Sequence, residues 1–185
     1  MFGNDRPVEL EIGAGDGSFI LQYASQNPDR NFFAVERLYG RLRKIDRKAR
    51  IAGITNLRGM RIEAGYLMER MIAPASLSAV HVYFPDPWPK RRHWKHRLIQ
   101  DAFAPLVHRA LAAEGVLYLR TDHTDYFDQM KRVMSRAQGF EAVEAPASLL
   151  AIRTDFERDF NARGIPSQVA TYRKVQTATP CTNPA

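Results

Sequence analysis

Val8–Glu9–Leu10–Glu11–Ile12–Gly13–Ala14–Gly15–Asp16–Gly17 is a short strand running into a glycine turn. Ser18 to Gln26 then carries apolar residues at Phe19, Ile20, Tyr23 and Ala24, spaced for one face of a helix. Strand, glycine turn and helix in that order predict an α/β unit. Glycines at alternate positions allow positive φ and let a ligand approach closely, beside the free amides of a helix start. A dinucleotide fingerprint would place its third glycine at position 18; the chain has Ser18 there, which disfavours a nicotinamide oxidoreductase.

The pattern repeats downstream. Asn31 to Val35 reads as a second strand ending in Glu36, Asn56 to Ile62 as a third followed by Glu63, and Ala79 to Phe84 as a fourth followed by Asp86. Val116 to Thr121 makes a fifth, ending in Asp122. Carboxylates gathered on one rim repel each other, so such a rim predicts a cationic ligand or a base whose N–H edge needs acceptors. An acid closing the second strand is placed to accept both ribose hydroxyls of a nucleoside. Between the strands, helices are predicted over 39–52, 67–72, 98–111 and 126–137, with Pro105 kinking or delaying the third. Phe140 to Ala145 reads as a sixth strand, and Val169 to Lys174 as a last strand at the sheet edge.

Phe84–Pro85–Asp86–Pro87–Trp88–Pro89 must stop its strand, because proline cannot donate to a sheet ladder and pushes its predecessor out of the helical region. Lys90 to Arg97 follows at once, with five Lys or Arg, two His and one Trp in eight residues. In an open α/β sheet ligands sit at the carboxyl ends of the strands. An acid there, beside a cationic run, predicts a pocket next to a nucleic-acid contact. The helix over 39–52 is also basic, which is read as a solvated face that adds to the steering of an anion.

The 185 residues suit one domain, and their net charge of +7 favours an anionic partner. The single cysteine, Cys181, permits no internal disulfide and no cysteine-based metal site, which fits a reducing compartment. No run reaches the apolar length of a membrane span, so a cytoplasmic protein without a membrane is expected. The chain enters its first strand almost at once, so either the amino end is short or a leading segment is missing.

With Glu11, the alternate glycines, Glu36, Glu63 and Phe84–Pro85–Asp86–Pro87–Trp88 in place, the sequence resembles the bacterial tRNA (guanine-N7-)-methyltransferase family. The resemblance runs over roughly 8–174 and includes Thr121–Asp122 and Thr154-x-Phe156–Glu157. It implies a single-domain class I methyltransferase (Rossmann-like) α/β fold. The sheet would be mostly parallel and seven-stranded, flanked by helices, with the last strand antiparallel. Residues 1–174 would form the S-adenosyl-L-methionine-dependent domain, and 175–185 a disordered tail. By position, it assigns cofactor contacts to Glu11, Gly13, Glu36, Glu63 and Asp86, with Asp86 also at the reacting centre. Lys90, Asp122, Thr154, Asp155, Phe156 and Glu157 would meet the substrate, and Arg92, His93, Trp94, Lys95, His96 and Arg97 the tRNA. No metal is expected, and the protein would be a monomer or homodimer. Two positions depart from the family: Glu63 stands where Asp or Asn is commoner, and Asp155 where Lys is frequent. Two other classes are weighed against it, an exocyclic-amine methyltransferase and a non-catalytic RNA-binding protein. The first wants two successive prolines after its acid, whereas Pro85 precedes Asp86; the second could lose the cofactor acids, and all are present.

Overall fold

Strand β1 (Val8–Ile12) lies inside the sheet in the computed structural model, which describes residues 1–176. It pairs in parallel with β2 (Asn31–Val35) on one side and β4 (Leu77–Tyr83) on the other. β3 (Leu57–Met60) extends the sheet beyond β2, and β5 (Leu111–Thr121) beyond β4, again in parallel. β6 (Phe140–Val143) and β7 (Gln168–Lys174) complete seven strands in the order β3-β2-β1-β4-β5-β7-β6. β7 is antiparallel to both neighbours, as expected for the last strand.

Because β1 to β5 run in parallel, their carboxyl ends share one rim. Helices α1 (Ile20–Gln26) and α2 (Tyr39–Ile51) cover one face of the sheet. A one-turn helix α3 (Ala64–Tyr66), continued by a π-helical turn (Leu67–Met71), lies on the other face with α4 (Phe103–Ala110) and α5 (Thr124–Arg136). Leu149 of α6 (Ala147–Ala151) joins the α1–α2 side, and α7 (Asp155–Ala162) follows it. Leu10, Ile12, Val80, Val82, Leu117 and Leu119 form the apolar side that meets α4 and α5.

The alternate residues Glu9, Glu11, His81, Tyr83, Tyr118 and Arg120 stand on the opposite side of the same three strands, and all except Tyr118 are buried. Buried polar groups must find partners or lose about 1–3 kcal/mol each. Three of them are linked in a chain: Glu9 accepts from Arg30 at 2.5 Å and pairs with His81 Nε2 at 2.7 Å, while His81 Nδ1 lies 2.8 Å from the Tyr83 hydroxyl. The His81 ring stacks on Tyr118 at 5.0 Å.

Three predicted elements differ. The strand over 169–174 is not at the edge: six registered pairs from Val116↔Arg173 to Thr121↔Gln168 seat it against β5, and β6 takes the edge. The short β6, with Glu141 and Ala142 exposed, suits an edge better than β7, whose Thr171 and Tyr172 are buried. The helix over 98–111 begins only at Phe103, because Ile99 N–H donates to the Tyr126 hydroxyl and the Gln100 amide turns back to the Lys95 and Arg97 carbonyls. Pro105 then falls in the first turn, where no intrahelical N–H is needed. The turn at Glu114–Gly115 is an irregularity inside β5, with Glu114 at φ 60°; Leu111 already pairs with Leu77. Cys181 and the tail expected over 175–185 lie outside the described residues from position 177 onward. Among the described residues, no helix is long and apolar enough to cross a membrane.

Candidate active site at the carboxyl ends of the strands

Gly13, Gly15 and Gly17 all take positive φ, at 78°, 58° and 86°. Their surroundings separate two roles. A Cβ at Gly17 would lie 2.9 Å from both Ile45 and Leu21, so this glycine serves helix packing. Beside Gly13 and Gly15 nothing lies within 4 Å of a Cβ position, which leaves space for a ligand against the backbone. The turn is tied to β2: Gly13 and Ala14 N–H donate to Val35 O at 2.8 and 3.0 Å. Glu36 accepts from Gly15 N–H at 3.0 Å and Leu38 N–H at 2.8 Å, so its carboxylate is fixed beside the turn.

Glu11 is 3% exposed, and its Oε2 is buried without a hydrogen-bond partner. Burial pushes its carboxyl up to about 8, against the pull of Arg120 and with a further push from Glu36. A buried acid with an unused oxygen, two residues before a turn with open space beside it, can receive a cationic or N–H group. Glu63 is exposed and caps α3, accepting from Gly65 and Tyr66 N–H at 2.8 and 2.7 Å.

Asp86 is exposed just beyond β4, within a segment where Phe84 and Trp88 have φ of 49° and 43°. Bulky residues avoid this region, and each costs roughly 1–3 kcal/mol that the surroundings must offset. Trp88 packs on His93 and His96, with ring centroids at 5.7 and 5.1 Å. Lys90, Arg92, Lys95 and His96 are exposed in and before a 3₁₀ turn over Arg91–His96, and His93 and Trp94 are half-buried.

Arg97 departs from the expectation of an RNA contact. It is 2% exposed, donates to Pro87 O and to Gln129 Oε1, each at 2.7 Å, and lies between the Trp94 and Tyr126 rings at 4.5 and 4.7 Å. A guanidinium enclosed in this way braces the loop and cannot meet a phosphate.

The segment expected at the substrate folds toward the glycine turn. Asp155 N–H donates to Ser18 Oγ at 3.1 Å, which joins the start of α7 to the residue that ends the turn. Thr154 and Glu157 form a reciprocal cap at that helix start. Phe156 is exposed, with its ring centroid 6.4 Å from that of Phe84; Asp155 pairs with Arg158. Asp122 is half-buried at the end of β5.

Glu157, in contrast, is buried, and its Oε2 accepts from Arg120 at 3.0 Å and from Thr154 N–H. That oxygen is committed to the fold. Arg120 is the site residue that sequence reasoning missed. It is 1% exposed, donates to Leu149 O and Ile152 O at 2.7 and 2.8 Å as well as to Glu157, and lies 4.5 Å from the Tyr83 ring. The signal was an arginine at an inward position of an otherwise apolar strand. Among the described residues no group of three or more His, Cys, Asp or Glu could hold a metal ion.

The family described as "Putative methyltransferase" matches residues 5–168. A tRNA (guanine-N(7)-)-methyltransferase of Vibrio parahaemolyticus is 42% identical over 144 residues, covering 77% of this chain and 60% of its own length. The enzyme of that name from Syntrophotalea carbinolica is 40% identical, covering 76% and 61%. The one from Shewanella putrefaciens is 38% identical over 166 residues, covering 89% and 69%. The chain thus spans about three-fifths of the length of the first two relatives. In fold it is similar to the 16S rRNA methyltransferase KamB, with TM-score 0.67 at 16% identity over 95% of this chain and 91% of that one. An rRNA methylase from Streptococcus thermophilus gives TM-score 0.62 at 15% identity, over 94% and 89%. The sheet is therefore that of the class I methyltransferases, and with these relatives the chain belongs to the tRNA (guanine-N7-)-methyltransferase family.

Proposed function

We propose that residues 1–174 form the methyltransferase domain of a cytoplasmic tRNA (guanine-N7-)-methyltransferase that methylates the variable-loop guanosine, as a monomer or homodimer. The observation that carries this reading is one rim from which both an acid-lined glycine turn and a cationic loop emerge. The orphaned Glu11 oxygen and the open space beside Gly13 and Gly15 fit a cationic nucleoside ligand. S-adenosyl-L-methionine, when bound, supplies a methyl group on a sulfonium. Glu11, Gly13, Glu36, Glu63 and Asp86 would hold it, with Glu36 taking the ribose hydroxyls and Glu63 the adenine amine.

Guanine N7 has an in-plane lone pair and carries no proton in the neutral base. The protein therefore needs no general base; its work is alignment, and acceptors for the positive charge that grows on the guanine. Asp122 would accept from the guanine N1–H and amino edge. Lys90 and the start of α7 position the nucleoside, and Asp86 orients the reacting centre. A guanosine held in folded tRNA must first be unstacked, at a cost of a few kcal/mol. Lys90, Arg92 and Lys95 would supply phosphate contacts that offset it, with His93, Trp94 and His96 at the same surface.

The test is incubation with labelled S-adenosyl-L-methionine and unmodified tRNA transcript, followed by borohydride and aniline cleavage. Scission at the variable-loop guanosine is expected. Label without scission would move the chemistry to an amine or another ring position, and no label despite cofactor binding would refute the catalytic reading.

A further inference from the structure

The segment 37–50 holds seven Lys or Arg and one Asp, a net +6 in a chain whose total is +7. Its helix α2 starts directly after Glu36 and Leu38, at the rim, and its 13 residues span about 20 Å. Ile45 and Ala49 bind it to the sheet, while Arg41, Arg43, Lys44, Arg47, Lys48 and Arg50 are all exposed. Carboxylates answer only some of these charges: Glu36 lies 4.0 Å from Arg41, Asp16 3.4 Å from Lys48 and Asp46 3.1 Å from Arg50. Lys44 and Arg47 make no ion pair among the described residues, and Arg43 rests over the Tyr39 ring at 5.9 Å. Like charges three and four positions apart, as in Arg43–Arg47, Lys44–Arg47 and Lys44–Lys48, oppose helix formation. A bound polyanion would remove that penalty.

The placement of the helix is what the sequence could not show. Arg97 ties the cationic loop after β4 to Tyr126 and Gln129, on the face covered by α4 and α5. α2 packs on the other face. The rim that holds the candidate active site thus lies between two cationic flanks.

We propose that the exposed face of α2 is a second phosphate-binding surface, gripping the RNA backbone on the side of the rim opposite the Lys90–Lys95 loop. The inference rests on the reading of a folded RNA as substrate. A folded RNA is far wider than one nucleoside, and it presents phosphates on both sides of an exposed base.

The test compares the wild type with the combined Arg43→Glu, Lys44→Glu and Arg47→Glu variant, in filter binding of unmodified tRNA transcript at several salt concentrations. The expected result is a Kd raised at least about tenfold and a log Kd against log salt slope shallower by about 2, with Tm and S-adenosyl-L-methionine affinity at wild-type values. An Arg91→Glu and Arg92→Glu variant runs in parallel. If it weakens binding while the α2 variant keeps the wild-type Kd and slope, the second surface is overturned and the RNA reading stands. If the wild type itself does not bind the transcript, both fall. Should the triple variant unfold, Lys44→Gln with Arg47→Gln decides the matter, with an expected rise in Kd of roughly threefold.

Discussion

Replacing Glu11 by Gln removes a carboxyl whose ionisation folding opposes. Its native value of about 8 lies above the 4.5 of an unperturbed glutamate. As pH rises past 4.5 the unfolded chain therefore gives up this proton first, and the native state keeps it. The stability present below pH 4.5 is lost progressively as pH climbs toward 8, and the loss then levels off. A gap of about 3.5 in pKa, at about 1.36 kcal/mol each, makes the full effect about 5 kcal/mol. Gln at this position does not titrate, so Glu11→Gln should match the wild type near pH 4.5 and exceed its stability by a growing margin up to pH 8. Urea unfolding of both proteins from pH 5 to 9, with unchanged m values, measures this directly. Parallel pH profiles would refute the reasoning, because they would mean that Glu11 is already ionised in the native protein. The same argument predicts proton release when a cationic ligand binds beside Glu11 below pH 8. Titration calorimetry with S-adenosyl-L-methionine in buffers of different ionisation enthalpy reads that proton.

Arg120→Met leaves Glu157 buried without its cation and strips the Leu149 and Ile152 carbonyls of their donor. A loss of about 3–5 kcal/mol is expected, seen as a fall in Tm of roughly 6–20 °C. A Tm within 2 °C of wild type would show that the α6–α7 segment is held by other means. Arg97→Ala should lower Tm as well, because its guanidinium braces Pro87, Gln129 and two rings, whereas Arg92→Ala should weaken tRNA binding and leave Tm unchanged. The reverse result would return Arg97 to the RNA surface. Asp86→Asn keeps shape and removes charge; methyl transfer at saturating substrates should fall at least about tenfold, and full turnover would remove Asp86 from the reacting centre.

What the sequence by itself determined is what depends on neighbours along the chain. Val8–Ile12, with its alternating apolar residues, and Asn31–Val35, with its apolar run, are strands as predicted, and α2 follows its helical spacing from Tyr39 to Ile51. The glycine turn and the acids closing the strands were readable because turn chemistry and strand ends are local. The tertiary structure alone decided which strand pairs with which. Val169–Lys174 looks like an edge segment until β5 offers it a ladder that β6 is too short to fill. Residues 98–102 lose their helix to a donor–acceptor contact with Tyr126, 27 positions away from Ile99. Arg97 and Arg120 show the same limit. A basic residue in a basic run reads as surface, and an arginine at an inward strand position shows burial without its partners; only packing on both sides of the sheet reveals the carbonyls and rings that enclose each. Burial is a property of the assembled layers. Charge sequence can therefore propose a binding face, but which cations remain outside, and on which side of the rim, follows from the fold.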